Sequence, residues 1–127
     1  MVRKTIRGRG SLGKLPELTE KLGMHQPLIV AMEPLTSHLM KKVPSMRNMP
    51  VFSEFHPNPD LKDCEQGVAL FRENHCDGLI SIGGGSSMDT AKGIKAMLLA
   101  DSVYVRDTEL IAIENYLAED AVFYRED

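Results

Sequence analysis

The residues best placed to do chemistry run from Ile80 to Lys92: Ile80-Ser81-Ile82, then Gly83-Gly84-Gly85, then Ser86-Ser87-Met88-Asp89-Thr90-Ala91-Lys92. A short apolar strand that enters three glycines and then a helix has the design of an anion cradle. Without Cβ atoms the glycines let backbone N–H groups approach an anion closely. The helix behind them adds unpaired N–H donors and the positive end of its dipole. Ser86 and Ser87 add hydroxyl donors, and either can cap the helix. The ligand suited to such a turn is a pyrophosphate. The spacing is neither GxGxxG nor a P-loop, because Lys92 lies several residues inside the helix. The competing reading is a tight strand-to-helix turn that binds nothing, and three glycines alone do not separate the two.

The elements that must position this turn alternate along the chain. Residues 2–6 predict a short strand, and Gly8, Gly10 and Gly13 punctuate a turn. Leu15, Leu18 and Leu22 fall at helical spacing, with Gly23 as the stop. Residues 27–32 form a continuous apolar run between Pro27 and Pro34, short and rich in Ile and Val, as in a buried strand. Residues 35–43 predict a helix, and residues 49–55 a strand centred on Val51 and Phe52. His56-Pro57-Asn58-Pro59 must be a loop, since its prolines suit neither helix nor ladder. Asp60 is placed to cap a helix whose apolar face is Leu61, Cys64, Val68 and Phe71. Residues 79–82 predict the strand before the glycines. The helix after them has Met88, Ala91, Ile94 or the stem of Lys95, and Leu98 on one face. This order predicts βαβ units: an α/β fold with a mostly parallel sheet covered on both faces.

Taken together, these stretches resemble the iron-containing (group III) alcohol dehydrogenases. Residues 83–92 are similar to that family's signature GGGSxxDxAK, and Phe55-His56-Pro57-Asn58-Pro59 resembles its PNP loop upstream. Gly8 to Leu12 resemble its Gly-rich opening, residues 28–31 its LIVT strand, and Asn74-His75-Cys76-Asp77-Gly78 the approach to the signature strand. Within the family the likeness leans toward phosphonoacetaldehyde reductases. The resemblance covers roughly residues 5–100. It implies a Rossmann-like domain of the dehydroquinate-synthase-like type, followed in the family by an all-helical metal domain, with NAD or NADP in the cleft between. It further implies that Gly83, Gly84, Gly85 and Ser86, with Ser87 beside them, hold the pyrophosphate. Asp89 would lie near the cofactor's inner end, and Pro57 and Asn58 along the same sheet edge. Met32 stands where the family often has a ribose-binding Asp, so Glu33 beside it is the expected substitute.

Full-length members transfer hydride between NAD(P)H and an aldehyde while a divalent metal, iron or zinc, polarises the carbonyl oxygen. The family's metal ligands, one Asp and three His, lie in the helical domain, and the sequence departs before it. Residues 110–113 resemble the strand that precedes the motif PTTxGTGSE, yet Glu114-Asn115-Tyr116-Leu117 follows instead. No catalytic or metal-binding residue is therefore assigned. The expectation is the cofactor-binding amino-terminal portion of an alcohol or aldehyde oxidoreductase, inactive without a metal domain. The alternative is a non-catalytic α/β module that binds a nucleotide or a partner. A metal-assisted lyase of the dehydroquinate synthase type would share the fold but not the glycine motif.

The remaining signals are bland. A chain of 127 residues with a formal net charge of -3 suits one soluble domain and gives no reason to expect nucleic acid. Acid is concentrated at the end: residues 101–127 carry eight Asp and Glu against two Arg. The sequence thus divides into an NAD(P)-binding domain, residues 1–100, and an acidic tail, residues 101–127. In the tail Leu110, Ile113 and Leu117 have helical spacing, so it is expected either to pack as a helix on a sheet edge or to remain disordered. Tyr104, Tyr116, Phe123 and Tyr124 add apolar surface there. His25, His38, His56 and His75 include no pair at helical metal-ligand spacing. His56 reads as a loop histidine, Lys92 and Lys95 as rim or solvent lysines, and Arg3, Lys4, Arg7 and Arg9 as a solvated basic edge. Cys64 and Cys76 match no metal or redox motif and read as reduced thiols in the cytoplasm. No apolar run approaches the ~20 residues of a membrane helix. An uncovered cleft wall would be apolar and would favour self-association.

Overall fold

The computed structural model describes residues 2–100, 108–116 and 119–126. Strand β1 (Val2–Gly8) leads through a 3-10 turn (Ser11–Lys14) into α1 (Leu15–Lys21). Then come β2 (Pro27–Val30), α2 (Leu35–Lys42), a second 3-10 turn (Pro44–Met46) and β3 (Val51–Phe52). They are followed by α3 (Leu61–Glu73), β4 (Gly78–Ile82), α4 (Gly85–Ala100), β5 (Leu110–Tyr116) and β6 (Glu119–Glu126). The strands form one sheet in the order β1-β6-β5-β4-β2-β3. β3, β2, β4 and β5 are parallel, whereas β6 returns antiparallel to β5 and β1 pairs antiparallel to β6.

The continuous apolar runs mark the strands that are covered twice. Leu28, Ile29 and Val30 of β2 and Leu79, Ile80 and Ile82 of β4 are fully buried. Each such side chain contributes roughly 1.5–3 kcal/mol when removed from water. Alternate residues feed two cores. Ile29, Ile80, Ile82, Ile111 and Ile113 meet Leu15 and Leu18 of α1 and Leu39 of α2 on one face. Leu28, Val30 and Leu79 meet Val68 and Phe71 of α3 and Ala91, Ile94 and Leu98 of α4 on the other. The sheet is thus Rossmann-like, with helices on both faces.

Three expectations change. The strand expected over residues 49–55 is only Val51–Phe52, because Pro50 lies just before it and the chain leaves the sheet after Phe52. Leu61 is 67 % exposed and does not join the apolar face of α3, on which Cys64, Val68 and Phe71 are buried. The tail does not pack as a helix over residues 110–116. It pairs with the open edge of β4 as β5, with Leu79 opposite Leu110 and Ile82 opposite Ile113, and this buries Ile111 and Ile113 completely or nearly so. The β-branched Ile111 and Ile113 and the vacant strand edge outweigh the helical spacing of Leu110 and Ile113. Leu117 and Tyr104 lie outside the described residues. Among the described residues, no helix is long and apolar enough to cross a membrane.

Candidate functional site

Two neighbouring strands send their chains to opposite faces of the sheet. β2 exits toward α2, whose Leu39 belongs to the α1–α2 core, while β4 exits toward α4 in the α3–α4 core. β2 and β4 are hydrogen-bonded neighbours, with Val30 opposite Ser81. Such a reversal opens a crevice between the carboxyl ends of the two strands, the usual ligand position in open α/β sheets. The glycine turn forms one side of it, and Met32 and Glu33 start the other.

The three glycines are not equivalent. Gly83 has φ 139°, and a Cβ there would stand 2.8 Å from Ser87 Oγ and 3.3 Å from Leu35 Cδ1. Its N–H donates to the Ile113 carbonyl at 3.0 Å, fixing the turn to β5. The fold therefore needs this glycine. Gly84 and Gly85 are exposed, and nothing lies within 4 Å of where a Cβ would be. The space over them is open in front of the first turn of α4, whose N–H groups have no acceptor within the helix. A 16-residue helix directs the positive end of its dipole there.

The serines divide in the same way. Ser86 is half-buried, whereas Ser87 is buried and its hydroxyl donates to the Gly84 carbonyl at 3.1 Å. The expected second hydroxyl donor is thus turned inward and holds the turn's shape, so what Ser87 offers outward is its backbone N–H. Thr90 Oγ1 donates to the Ser86 carbonyl at 2.7 Å, one turn further on. Asp89 and Lys92 are exposed on α4, and Lys95 is half-buried.

The other expected residues lie at the same sheet end on neighbouring strands. Glu33 is exposed after β2, and its carboxylate accepts from Ser37 Oγ at 2.6 Å. Pro57 and Asn58 are exposed in the loop after β3. β3 and β4 flank β2, so at about 4.8 Å per strand their ends lie about 10 Å apart. Phe55 anchors this loop: it is buried, with its ring centroid 5.9 Å from that of Phe52.

Asp63, which the sequence did not single out, organises the loop from below. It is a buried carboxylate that accepts from His56 Nδ1 at 2.9 Å, from the His56 N–H at 3.2 Å and from the Asp60 N–H at 3.3 Å. Asp60 returns the contact by accepting from the Asp63 N–H at 2.9 Å, completing a capping box. The hydrogen bond and charge of Asp63 raise the His56 pKa, and His56 in turn lowers that of Asp63. The readable signal was the Asp-x-x-Asp spacing at the start of a helix. A second polar cluster closes the far side of the sheet end. His38 Nε2 lies 3.2 Å from the Asp120 carboxylate, which also accepts from Asn115 Nδ2 at 2.9 Å.

Among the described residues, no three His, Cys, Asp or Glu side chains are grouped as a metal ion requires. Cys64 and Cys76 are free thiols, and burial pushes that of Cys76 up to about 11. A groove of about 420 Å³ lies away from the glycine turn, between α4 and the β5–β6 face, lined by Lys92, Leu99, Leu110 and Phe123 among others. Its size does not make it the better site. The unpaired helix donors and the strand reversal lie at the glycine turn.

Comparison with known proteins identifies the family and the fold. The family model for iron-containing alcohol dehydrogenases matches residues 3–121. A 4-hydroxybutyrate dehydrogenase of Cupriavidus necator is 34 % identical over 89 residues, which cover 67 % of this chain and 23 % of that protein. An NAD-dependent methanol dehydrogenase of Bacillus methanolicus is 31 % identical over 96 residues, covering 71 % and 25 %. The chain thus spans about a quarter of the length of the curated relatives it matches. In fold it is similar to a sulfoacetaldehyde reductase from Bifidobacterium kashiwanohense, solved in complex with NAD+, at TM-score 0.71 and 22 % identity, covering 88 % of this chain and 35 % of that one. It is likewise similar to a 1,3-propanediol oxidoreductase, at TM-score 0.72 and 19 % identity, covering 91 % and 36 %. The finer likeness to phosphonoacetaldehyde reductases finds no support in these relatives.

Proposed function

The chain belongs to the iron-containing alcohol dehydrogenase family, and from that premise we propose that it is the part that binds NAD or NADP, with the glycine turn as its pyrophosphate cradle. The observation that carries this reading is the open space over Gly84 and Gly85 at the amino end of α4. No neighbouring atom there forbids a side chain, so packing does not account for these two glycines. A ligand that needs close backbone approach does. Gly85, Ser86 and Ser87 supply first-turn N–H donors, Glu33 faces the ribose side, and Pro57 and Asn58 border the same edge. Asp89, exposed on α4, lies toward the inner end of the cofactor.

When bound, the cofactor supplies hydride exchange with an alcohol or aldehyde, which we take to be the activity of the whole protein. The described residues do not form a metal site, so no step is assigned to iron or zinc here. Turnover also needs a metal site, which the described residues do not form. Self-association belongs to the same proposal, since Met32, 37 % exposed beside the crevice, is apolar surface a second copy would cover.

Calorimetric titration of the purified chain with NADH and with NADPH tests the reading. Saturable one-to-one binding of either is expected. A cooperatively folded protein with no heat of binding at millimolar cofactor would contradict it.

A further inference from the structure

The loop that carries Pro57 and Asn58 has few means of holding its shape. Strand β3 ends at Phe52, and two prolines remove backbone donors from the next seven residues. One apolar anchor, Phe55, and one polar anchor, Asp63, remain. Asp63 belongs to α3 yet is turned back under the loop. There its carboxylate is buried and takes one side-chain and one backbone hydrogen bond from His56, together with the Asp60 N–H. An ionised carboxylate only accepts, so His56 Nδ1 carries the proton in this pair.

We propose that His56 and Asp63 are positioning residues for the cofactor loop: they clamp the backbone leading into Pro57 and Asn58 onto the first turn of α3, most tightly when both are charged. The inference rests on the reading that this loop borders the cofactor. The helix cap fixes Asp63, Asp63 fixes His56, and the next two residues are those assigned to the cofactor edge. The charged groups that act on His56 are Asp63 and, more weakly, Asp60. Glu54 in the same loop and Lys62 on α3 are exposed to either side.

The clamp has a pH window. The folded-state pKa of His56 is raised, so the charge-dependent part of its share in the clamp is complete below the ordinary value of 6.5 and is lost as pH rises through the raised value, while the neutral ring keeps its Nδ1 hydrogen bond. That of Asp63 is lowered, so its share is complete above the ordinary 3.8 and is lost as pH falls through the lowered value. Loop order and cofactor affinity therefore decline together on the alkaline side. His56 is 75 % exposed, so the decline is modest, about threefold in affinity, on the scale of a solvent-screened ion pair.

The test uses NADH titrations from pH 6 to 9 and hydrogen exchange of the amides of residues 53–60, on the wild type, His56→Ala and His56→Asn. Asn replaces the Nδ1 donor by a neutral amide N–H. The wild type should lose affinity and loop protection in parallel as pH rises. His56→Asn should sit at the alkaline wild-type level at every pH, and His56→Ala below it, with fast loop exchange throughout. Wild-type affinity that is flat with pH and unchanged in His56→Ala overturns the clamp while leaving the cofactor reading intact. Absence of NADH binding by the wild type, with the loop still protected, overturns the cofactor reading and the inference with it.

Discussion

The α3–α4 contact and the β4–α4 turn both depend on glycine, for opposite reasons. At the helix contact the glycines are filled against. A Cβ on Gly67 would meet Ile94 and would lie 3.2 Å from Phe52, and one on Gly93 would meet Cys64. At Gly78 the Met24 side chain stands 2.6 Å from the Cβ position. These glycines let two layers approach. At the turn, Gly84 and Gly85 face nothing. The first group is explained by neighbours that are present, and the second, on the proposed function, by a ligand that needs the room. Substitution should therefore separate the two regions, one losing stability and the other losing binding.

The largest effect is expected at the helix contact. Gly67→Val should destabilise the protein by about 3 kcal/mol, because the fully buried Ile94 must be displaced. Chemical denaturation reads this, and a loss below 1 kcal/mol would show that the contact is looser than it appears. Gly84→Asp should do the reverse. Asp is a favoured residue immediately before a helix, so stability should hold or rise slightly. Its carboxylate would stand where a phosphate is expected, and cofactor affinity should fall more than tenfold, at least about 1.4 kcal/mol. Equal loss of stability and binding would erase the distinction between the regions.

Smaller effects sharpen the comparison. Asp60→Ala removes the cap of α3 and should cost about 1 kcal/mol, with a further loss of loop protection around His56. Gly85→Ala lies between the extremes. It should stabilise α4 by about 0.5 kcal/mol, because alanine restricts the unfolded chain and meets nothing in the folded one. It should weaken cofactor binding only severalfold, since a methyl group is smaller than a carboxylate. Thermal melts of this variant with and without NADH would show a higher melting temperature and a smaller ligand-induced shift.

Much of this was legible in the residues. The runs at 27–32 and 79–82 identified the doubly buried strands, because a strand covered on both faces reads as a short, near-continuous apolar run rich in Ile and Val. The glycine turn was legible as a strand-to-helix turn, but not the division of labour within it. Whether a glycine serves φ, packing or a ligand depends on neighbours distant in sequence, such as Leu35 and Ile113 around Gly83. The tail misled because Leu110 and Ile113 satisfy helical spacing while residues 110–113 also read as a strand, and only the vacant edge of β4 decides between them. Asp63 was missed because an acid in the first turn of a helix is ordinarily solvated. Its burial follows from a loop folding over it, which no local pattern announces.

The most direct test is to follow the backbone amides of uniformly labelled protein by NMR as NADH is added. A pyrophosphate seated on the amino end of α4 should shift the Gly84, Gly85, Ser86 and Ser87 amides most, with smaller changes at Glu33 and Asn58. Saturable shifts centred instead on Lys92, Leu110 and Phe123 would place the nucleotide in the groove between α4 and the β5–β6 face and contradict the assignment of the cradle.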